Sequence, residues 1–250
     1  STDDSITYAK SLSPKVKSIR NNLNNVYTKA VNQGVKASTA DLIVILNNDV
    51  HISTGYLDSP LKLFKDPSLF AVTFNEEESS YPSVRWAGKF EYQRNVDKDH
   101  LAYSAWASGG SAIFRKKIWD EIGGFNEVYS PGYWEDIDLG WTAWRMGYKI
   151  LFDPSAKVKH QHESTFSKTN QSRLQLIKQR NELLFNWQHF LDHDHAISHL
   201  YFLITHTILH PGYIKVIVLA LLKIPQLRQS KYLYTSAEIL KKLHEQNHVI

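Results

Sequence analysis

Asp41-Leu42-Ile43-Val44-Ile45-Leu46-Asn47-Asn48-Asp49 is the stretch that decides how this chain is read. Its apolar run is β-branched at Ile43, Val44 and Ile45. It predicts a strand buried on both faces, as in a parallel sheet. The run stops abruptly at three polar residues. Polar side chains at the carboxyl end of a buried strand are where open α/β sheets place ligands. Asp49 in that position can hold a divalent cation, which in turn holds a diphosphate. Asn, Asn and Asp also favour turns whatever the function, so the triplet alone leaves both readings open.

Working outward, Val26, Ala30, Val31 and Val35 recur at helical spacing and predict a helix over Val26 to Ala37. Leu57 to Phe64 reads as a helix stopped near Asp66-Pro67. Leu69 to Phe74 and Lys149 to Phe152 read as strands, the last ended by Pro154, and Ser111 to Phe114 is short and apolar. Helices are expected over Lys116 to Ile122, closed by Gly123-Gly124, and from Trp134 to about Met146, with Gly147 at its end. Residues 75–105 read as loop-rich, with aromatics at Tyr81, Trp86, Phe90 and Tyr92. Strands alternating with helices form an α/β pattern. Beyond Ser172 the pattern is helical throughout. Leu174, Ile177, Leu184, Phe185 and Trp187 outline an amphipathic helix, and residues 196–224 are apolar, interrupted at His206, His210 and Pro211. The shift near residue 170 divides the chain into an α/β domain over residues 1–170 and a helical extension over 171–250.

Composition sets the bounds. The chain has 250 residues, of which 42% are apolar and 22% charged, ordinary for a globular protein with one sizeable core. The absence of cysteine excludes disulfides and Cys-ligated zinc and allows a reducing compartment. A formal charge of +4 mildly favours anionic partners such as phosphates, nucleotides or acidic lipid. It is too small to argue for nucleic acid, and no nucleic-acid partner is expected. No stretch reaches the ~20 apolar residues that span a bilayer. The segment from Tyr213 to Ile224 is short and carries Lys215 and Lys223.

Three carboxylates gather in Gly132-Tyr133-Trp134-Glu135-Asp136-Ile137-Asp138-Leu139, at an expected helix start. The macrodipole favours acids there, but capping does not require three of them beside two large aromatics. Asp136 can serve as a general base, and Trp134 can stack on a sugar face. Pro154-Ser155-Ala156-Lys157-Val158-Lys159-His160, followed by Glu163-Ser164, reads as a loop after a proline turn. His160 gains chemical interest only if it meets Asp49 in space. Ser108-Gly109-Gly110 lets backbone N–H groups approach a phosphate but matches no full phosphate-loop motif. His189, His193, Asp194, His195 and His199 are compatible with a metal cluster and read more simply as a solvated helix end.

Taken in order, these segments resemble bacterial family 2 glycosyltransferases of the GT-A fold, especially the rhamnosyltransferase-like and galactofuranosyltransferase-like branch. Ser1-Thr2-Asp3-Asp4-Ser5 is similar to the end of the family's D-x-S-T-D-x-S segment. Asn25 to Gly34 resembles its N-x-G-x-x-x-A-x-N-x-G helix, with Asn32 and Gly34 in place and Asn25-Val26 departing. Asn47-Asn48-Asp49 fits the D-x-D position, and Gly123-Gly124-Phe125-Asn126-Glu127 fits G-G-F-D-E. Trp134 to Leu139, with Arg145 and Gly147 behind, fits E-D-x-D-L with its trailing R and G. Pro154 to His160 fits P-x-A-x-V-x-H, and Arg180-Asn181 fits an R-N pair on the next helix. The resemblance covers residues 1–190.

The resemblance implies a GT-A domain, a Rossmann-like mixed sheet flanked by helices, with a C-terminal helical extension. It implies Asp49 and His160 as ligands to Mg²⁺ or Mn²⁺ on the diphosphate of a UDP- or dTDP-sugar. Asn47, Asn48, Gly109 and Gly110 would line the donor site, Trp134, Glu135 and Arg180 would touch substrate, and Asp136 would be the base of an inverting displacement. Asn47 is neutral where the family often has Asp. The acceptor would be a glycan or a lipid-linked sugar in surface polysaccharide or glycolipid synthesis. The place would be the cytoplasm, with residues 197–224 and Lys215, Lys223, Arg228 and Lys231 lying on the membrane's cytoplasmic face; the same helices could equally pack on the domain or on another subunit. The family's first strand and helix have no counterpart ahead of Ser1, so an exposed apolar sheet edge is expected. Two rival readings are a non-catalytic carbohydrate-binding relic and a metal-dependent hydrolase built on the histidines of 189–199.

Overall fold

The computed structural model describes residues 4–21, 26–76, 81–94, 99–160 and 171–246. Ser1-Thr2-Asp3, Asn25 and Glu163-Ser164 of the motifs above lie outside the described residues. In chain order the elements are α1 (Ser5–Leu12), α2 (Tyr27–Ala37), β1 (Leu42–Leu46), β2 (Val50–Ile52), α3 (Pro60–Leu63), β3 (Leu69–Glu76), β4 (Pro82–Trp86), β5 (Phe90–Arg94) and β6 (Ala102–Tyr103). There follow β7 (Ser111–Arg115), α4 (Lys116–Ile122), α5 (Glu135–Arg145), β8 (Lys149–His160), α6 (Gln171–His189), α7 (His193–Leu209), α8 (Tyr213–Leu221) and α9 (Ser236–Gln246).

The main sheet has the order β1-β7-β3-β8-β2, with β6 also paired to β8. Among the described strands only β3 and β8 run parallel; the other pairings are antiparallel. The strand buried on all sides is β3, whose eight residues are buried throughout. β1 corrects the sequence expectation: among the described strands it pairs with β7 alone, antiparallel, and its faces alternate between buried Ile43 and Ile45 and partly exposed Leu42 and Val44. Its other edge borders an open groove lined by Val31, Val35 and its own side chains. An apolar, β-branched run therefore specified a strand but not its place in the sheet, because one covered face and a helix alongside satisfy the same side chains.

Three further expectations change. The helix read over Leu57 to Phe64 is four residues long, Pro60–Leu63. The loop-rich stretch holds the β4–β5 hairpin and β6. Pro154 does not end its strand: β8 continues to His160 through a register shift in which Phe74 faces Asp153 while Asn75 faces Lys157. The bulged Pro154 carbonyl accepts from Asn75 Nδ2 at 2.9 Å, so the proline sits where no ladder N–H is required.

One hydrophobic cluster joins the sheet to the C-terminal helices. It runs from Phe70 and Phe114 through Trp141 and Trp144 to Phe185, Phe190, Tyr213, Val216, Ile239 and Leu243. Burying each large side chain contributes roughly 1.5–3 kcal/mol, so α6, α8 and α9 share the stabilising core with α5 and the sheet.

Candidate active site

The register of β2 against β8 makes the first contact. Val50 opens β2 and pairs with His160, the last residue of β8, so Asp49 and His160 are brought together at the carboxyl edge of the sheet. His160 Nε2 lies 3.1 Å from Asp49 Oδ1. On the other side of the ring, Nδ1 lies 3.4 Å from Glu76 Oε1. Glu76 ends the buried strand β3 and accepts from Ser111 Oγ at 2.5 Å. Glu76 thus stands behind the imidazole, where the outer partners of metal-bound histidines stand. One carboxylate oxygen and one imidazole nitrogen converge here, a donor pair of the kind that would hold Mn²⁺ or Mg²⁺.

The second wall is the start of α5. Asp136 accepts from the Gly109 N–H at 3.3 Å and from the Ile137 N–H at 2.9 Å. Burial pushes its pKa up, against those two hydrogen bonds. Glu135 beside it is 6% exposed, and its Oε2 has no partner among the described residues. Burial, with Asp136 adding to it, raises the Glu135 carboxyl from 4.5 to about 8. The turn before the helix is strained: Tyr133 and Trp134 have φ of 71° and 78°, a region that costs a non-glycine residue on the order of 1–3 kcal/mol. Asn181 Nδ2 holds this turn by donating to the carbonyls of Tyr129 at 2.8 Å, Gly132 at 3.1 Å and Tyr133 at 2.8 Å.

These walls enclose a cleft of about 620 Å³ lined by Asn47, Asn48, Asp49, Gly109, Gly110, Trp134, Glu135, Asp136 and His160. Of the ten site residues taken from the sequence, all but Arg180 line it. Arg180 donates instead to the Ser130 carbonyl at 2.8 Å and to Asn181 Oδ1, bracing the strained turn from behind. Asn47 crosses over Gly110 so closely that a Cβ there would meet its Nδ2 at 2.3 Å. Tyr27 closes the floor by donating to the Gly109 carbonyl. Tyr27, Glu76, Trp106 and Lys178 have no place in the sequence reading, and Tyr92 enters it only as an aromatic of the loop-rich stretch. Only Glu76 left a signal, a charge ending an otherwise apolar strand.

Asp138, two residues past Asp136, is fully buried. It accepts from Tyr129 Oη at 3.1 Å and Gln188 Nε2 at 2.9 Å, and meets His189 Nε2 at 2.8 Å. Burial holds the His189 imidazole below its usual pKa. The solvated reading of the histidine cluster is thereby corrected: His189, His195 and His199 are all buried. His195 Nδ1 meets Asp192 at 2.5 Å and His199 Nδ1 meets the Gly88 carbonyl at 2.6 Å, so each is held by a different partner. The side chains of His193 and Asp194 lie outside the described set. Among the described residues, no group of three or more His, Asp or Glu has the arrangement of a metal site.

A family model described as glycosyltransferase like family 2 matches residues 6–177. The pre-mycofactocin glycosyltransferase of Mycobacterium tuberculosis is 28% identical over 142 residues, 54% of this chain and 30% of that protein. The N-acetylglucosaminyl-diphospho-decaprenol L-rhamnosyltransferase of the same organism is 25% identical over 197 residues, 64% of this chain and 63% of that one. The chain thus spans less than two thirds of either relative. Among solved structures, GalNAc-T7 with UDP, GalNAc and Mn²⁺ matches at a TM-score of 0.56 with 15% identity, over 76% of this chain and 39% of its own. The mannosyltransferase PcManGT of Pyrobaculum calidifontis, with GDP-Man and Mn²⁺, matches at 0.53 with 14% identity, over 98% and 68%. The shared fold is GT-A, a mixed sheet with flanking helices.

Proposed function

The chain belongs to glycosyltransferase family 2, and we propose that it transfers a sugar from a UDP- or dTDP-sugar to a hydroxyl of a glycan or lipid-linked acceptor. The observation that carries this reading is the convergence of Asp49, His160 and Asp136 on one cleft. In it, Asp49 and His160 would hold Mn²⁺ or Mg²⁺. When bound, that cation would offset the charge that develops on the departing diphosphate. Asn47, Asn48 and the Gly109-Gly110 backbone border the same volume and orient the donor. Asp136 takes the proton from the acceptor hydroxyl as that oxygen bonds to the anomeric carbon and the bond to the diphosphate breaks. A single displacement of this kind inverts the anomeric centre. The raised pKa of Asp136 makes it a better base than a solvated aspartate while two backbone N–H groups hold it in place. The test is a screen of nucleotide sugars for released diphosphate, with and without Mn²⁺. Release from none of them would leave the carbohydrate-binding relic, which the neutral Asn47 favours.

We further propose that the protein works in surface polysaccharide or glycolipid synthesis from the cytoplasmic face of a membrane, held there by α7 and α8. No helix among the described residues is long and apolar enough to cross a membrane. Yet Ile197, Tyr201, Ile208 and Leu209 are 72, 71, 71 and 73% exposed, and Ile214, Val218 and Leu222 continue the face onto α8. From His195 to Ala237 there is no Asp or Glu, while Lys215, Lys223 and Lys231 supply positive charge. Arg228 is engaged by the carbonyls of Gly123 and Gly124. An apolar face bordered by cations without anions matches an anionic lipid surface.

A further inference from the structure

A second groove, of about 590 Å³, opens beside the cleft and shares Tyr92, Trp134 and Lys178 with it. One wall is a single face of α6, with Gln175, Lys178, Gln179 and Glu182 at positions i, i+3, i+4 and i+7. The other is the β4–β5 hairpin. The hairpin is tied to α6: the Phe90 N–H donates to Asn186 Oδ1 at 2.9 Å, and Lys89 Nζ meets Glu182 Oε1 at 2.7 Å. The groove is therefore shaped before any ligand arrives.

Away from its junction with the cleft, its charges are paired with one another. Arg85 Nη2 meets Glu91 Oε2 at 2.6 Å, and Lys89 is matched by Glu182. Lys178 stands at the junction with the cleft, its ammonium 4.2 Å from the centre of the Tyr133 ring. Along the groove this leaves the side-chain amides of Gln93, Gln175 and Gln179, each a donor and an acceptor. At its mouth stand the rings of Tyr92 and Trp134, centroids 6.3 Å apart. A sugar ring offers hydroxyls to amides and C–H faces to aromatic rings. A phosphate or carboxylate lying along the groove would instead call for a cation there not already matched by an anion, whereas Lys178 stands at the cleft end.

Resting on the glycosyl-transfer reading, we propose that this groove binds an uncharged oligosaccharide, the stretch of the acceptor behind the attacking hydroxyl. The reacting end lies at Trp134, next to Asp136, and the preceding sugars run along α6 and the hairpin. The groove then selects acceptors by length and by lack of charge.

The experiment measures binding to the whole chain by saturation-transfer NMR and titration, with UDP and Mn²⁺ present. The probes are rhamnose, a rhamnose tetrasaccharide, N-acetylglucosamine and its tetramer, with tetragalacturonate as the anionic comparison. At least one neutral tetramer should bind about 10-fold or more tightly than its monosaccharide. Gln179→Trp, which fills the groove, and the paired Gln175→Ala and Gln179→Ala, which remove its amides, should each abolish that advantage. Both should leave UDP–Mn²⁺ affinity within about 2-fold of wild type. Tetramers no tighter than monosaccharides, an advantage that survives both variants, or preference for tetragalacturonate would overturn the inference. Failure of wild type to bind any nucleotide with Mn²⁺ would count against the glycosyl-transfer reading instead, and is read separately from the length series.

Discussion

At the start of α5, carboxylates sit among aromatic side chains where a core would place apolar groups. On α7 and α8, isoleucine, leucine and tyrosine sit in solvent where a surface would place charges. The two regions break the same burial rule in opposite directions. In the first, burial raises the Glu135 carboxyl to about 8 and pushes Asp136 upward, and the turn before them is strained. On the proposed function, local stability is given up there for a poised acid–base group. In the second, exposed apolar area costs solubility and is retained only if something covers it. Departures of the first kind mark chemistry inside the molecule, and departures of the second kind mark what it touches outside.

The comparison can be broken most sharply at the proposed metal ligands. Asp49→Ala removes the carboxylate that meets His160 Nε2 and should abolish Mn²⁺-dependent diphosphate release while thermal stability stays near wild type. Undiminished release would remove Asp49 from the site. Next, Asp136→Asn keeps the shape but cannot accept a proton. We expect kcat to fall about 10²-fold or more with donor affinity little changed. In wild type the acidic limb of kcat/KM should lie above the usual aspartate range, because burial raises this group. A kcat within a few-fold of wild type would disqualify Asp136 as base.

The outer region is tested with Ile197→Glu, Ile204→Glu and Ile208→Glu together, a better probe than truncation because Tyr213, Val216 and Ile239 are part of the core. Flotation with phosphatidylglycerol vesicles should fall about 10-fold or more, and neutral vesicles should bind the wild type weakly. If the wild type forms a dimer that these changes break, while ignoring vesicles, the face belongs to a second copy. The smallest effect is expected at Glu135. The folded protein keeps a proton that the unfolded chain releases above an ordinary pKa of 4.5. The stabilising contribution is therefore full below that pH and is lost as pH rises toward about 8. Glu135→Gln should flatten this decline, raising Tm relative to wild type at pH 8 but not at pH 4 by about 2–4 °C or more, the shift worth about 1 kcal/mol in a chain of this size. Equal pH profiles would mean the carboxyl is solvated.

Element types were largely legible in the sequence. Apolar spacing read α2, and closing glycines marked the ends of α4 and α5, each within a residue or two. The β4–β5 hairpin does carry a strand's alternation, Val84, Trp86, Phe90 and Tyr92 against Ser83, Arg85, Glu91 and Gln93, so the loop-rich reading passed over a signal that the sequence contains. Pro154 misled for a different reason: a proline stops a regular ladder, but a bulge removes the hydrogen bond it lacks.

By itself the sequence determined the α/β alternation, the helical C-terminal third and the ordered motifs that hold Asp49, Asp136 and His160. These depend on side-chain type and spacing along the chain. Only the tertiary structure decided that, among the described strands, β1 pairs with β7 alone, that Asp136 faces the cleft while Asp138 is sealed beside His189, and that Arg180 braces a turn. Each of those depends on which element packs against which side of a residue. A chain position carries no record of that, because two carboxylates two residues apart on a helix point roughly 200° apart and meet entirely different neighbours.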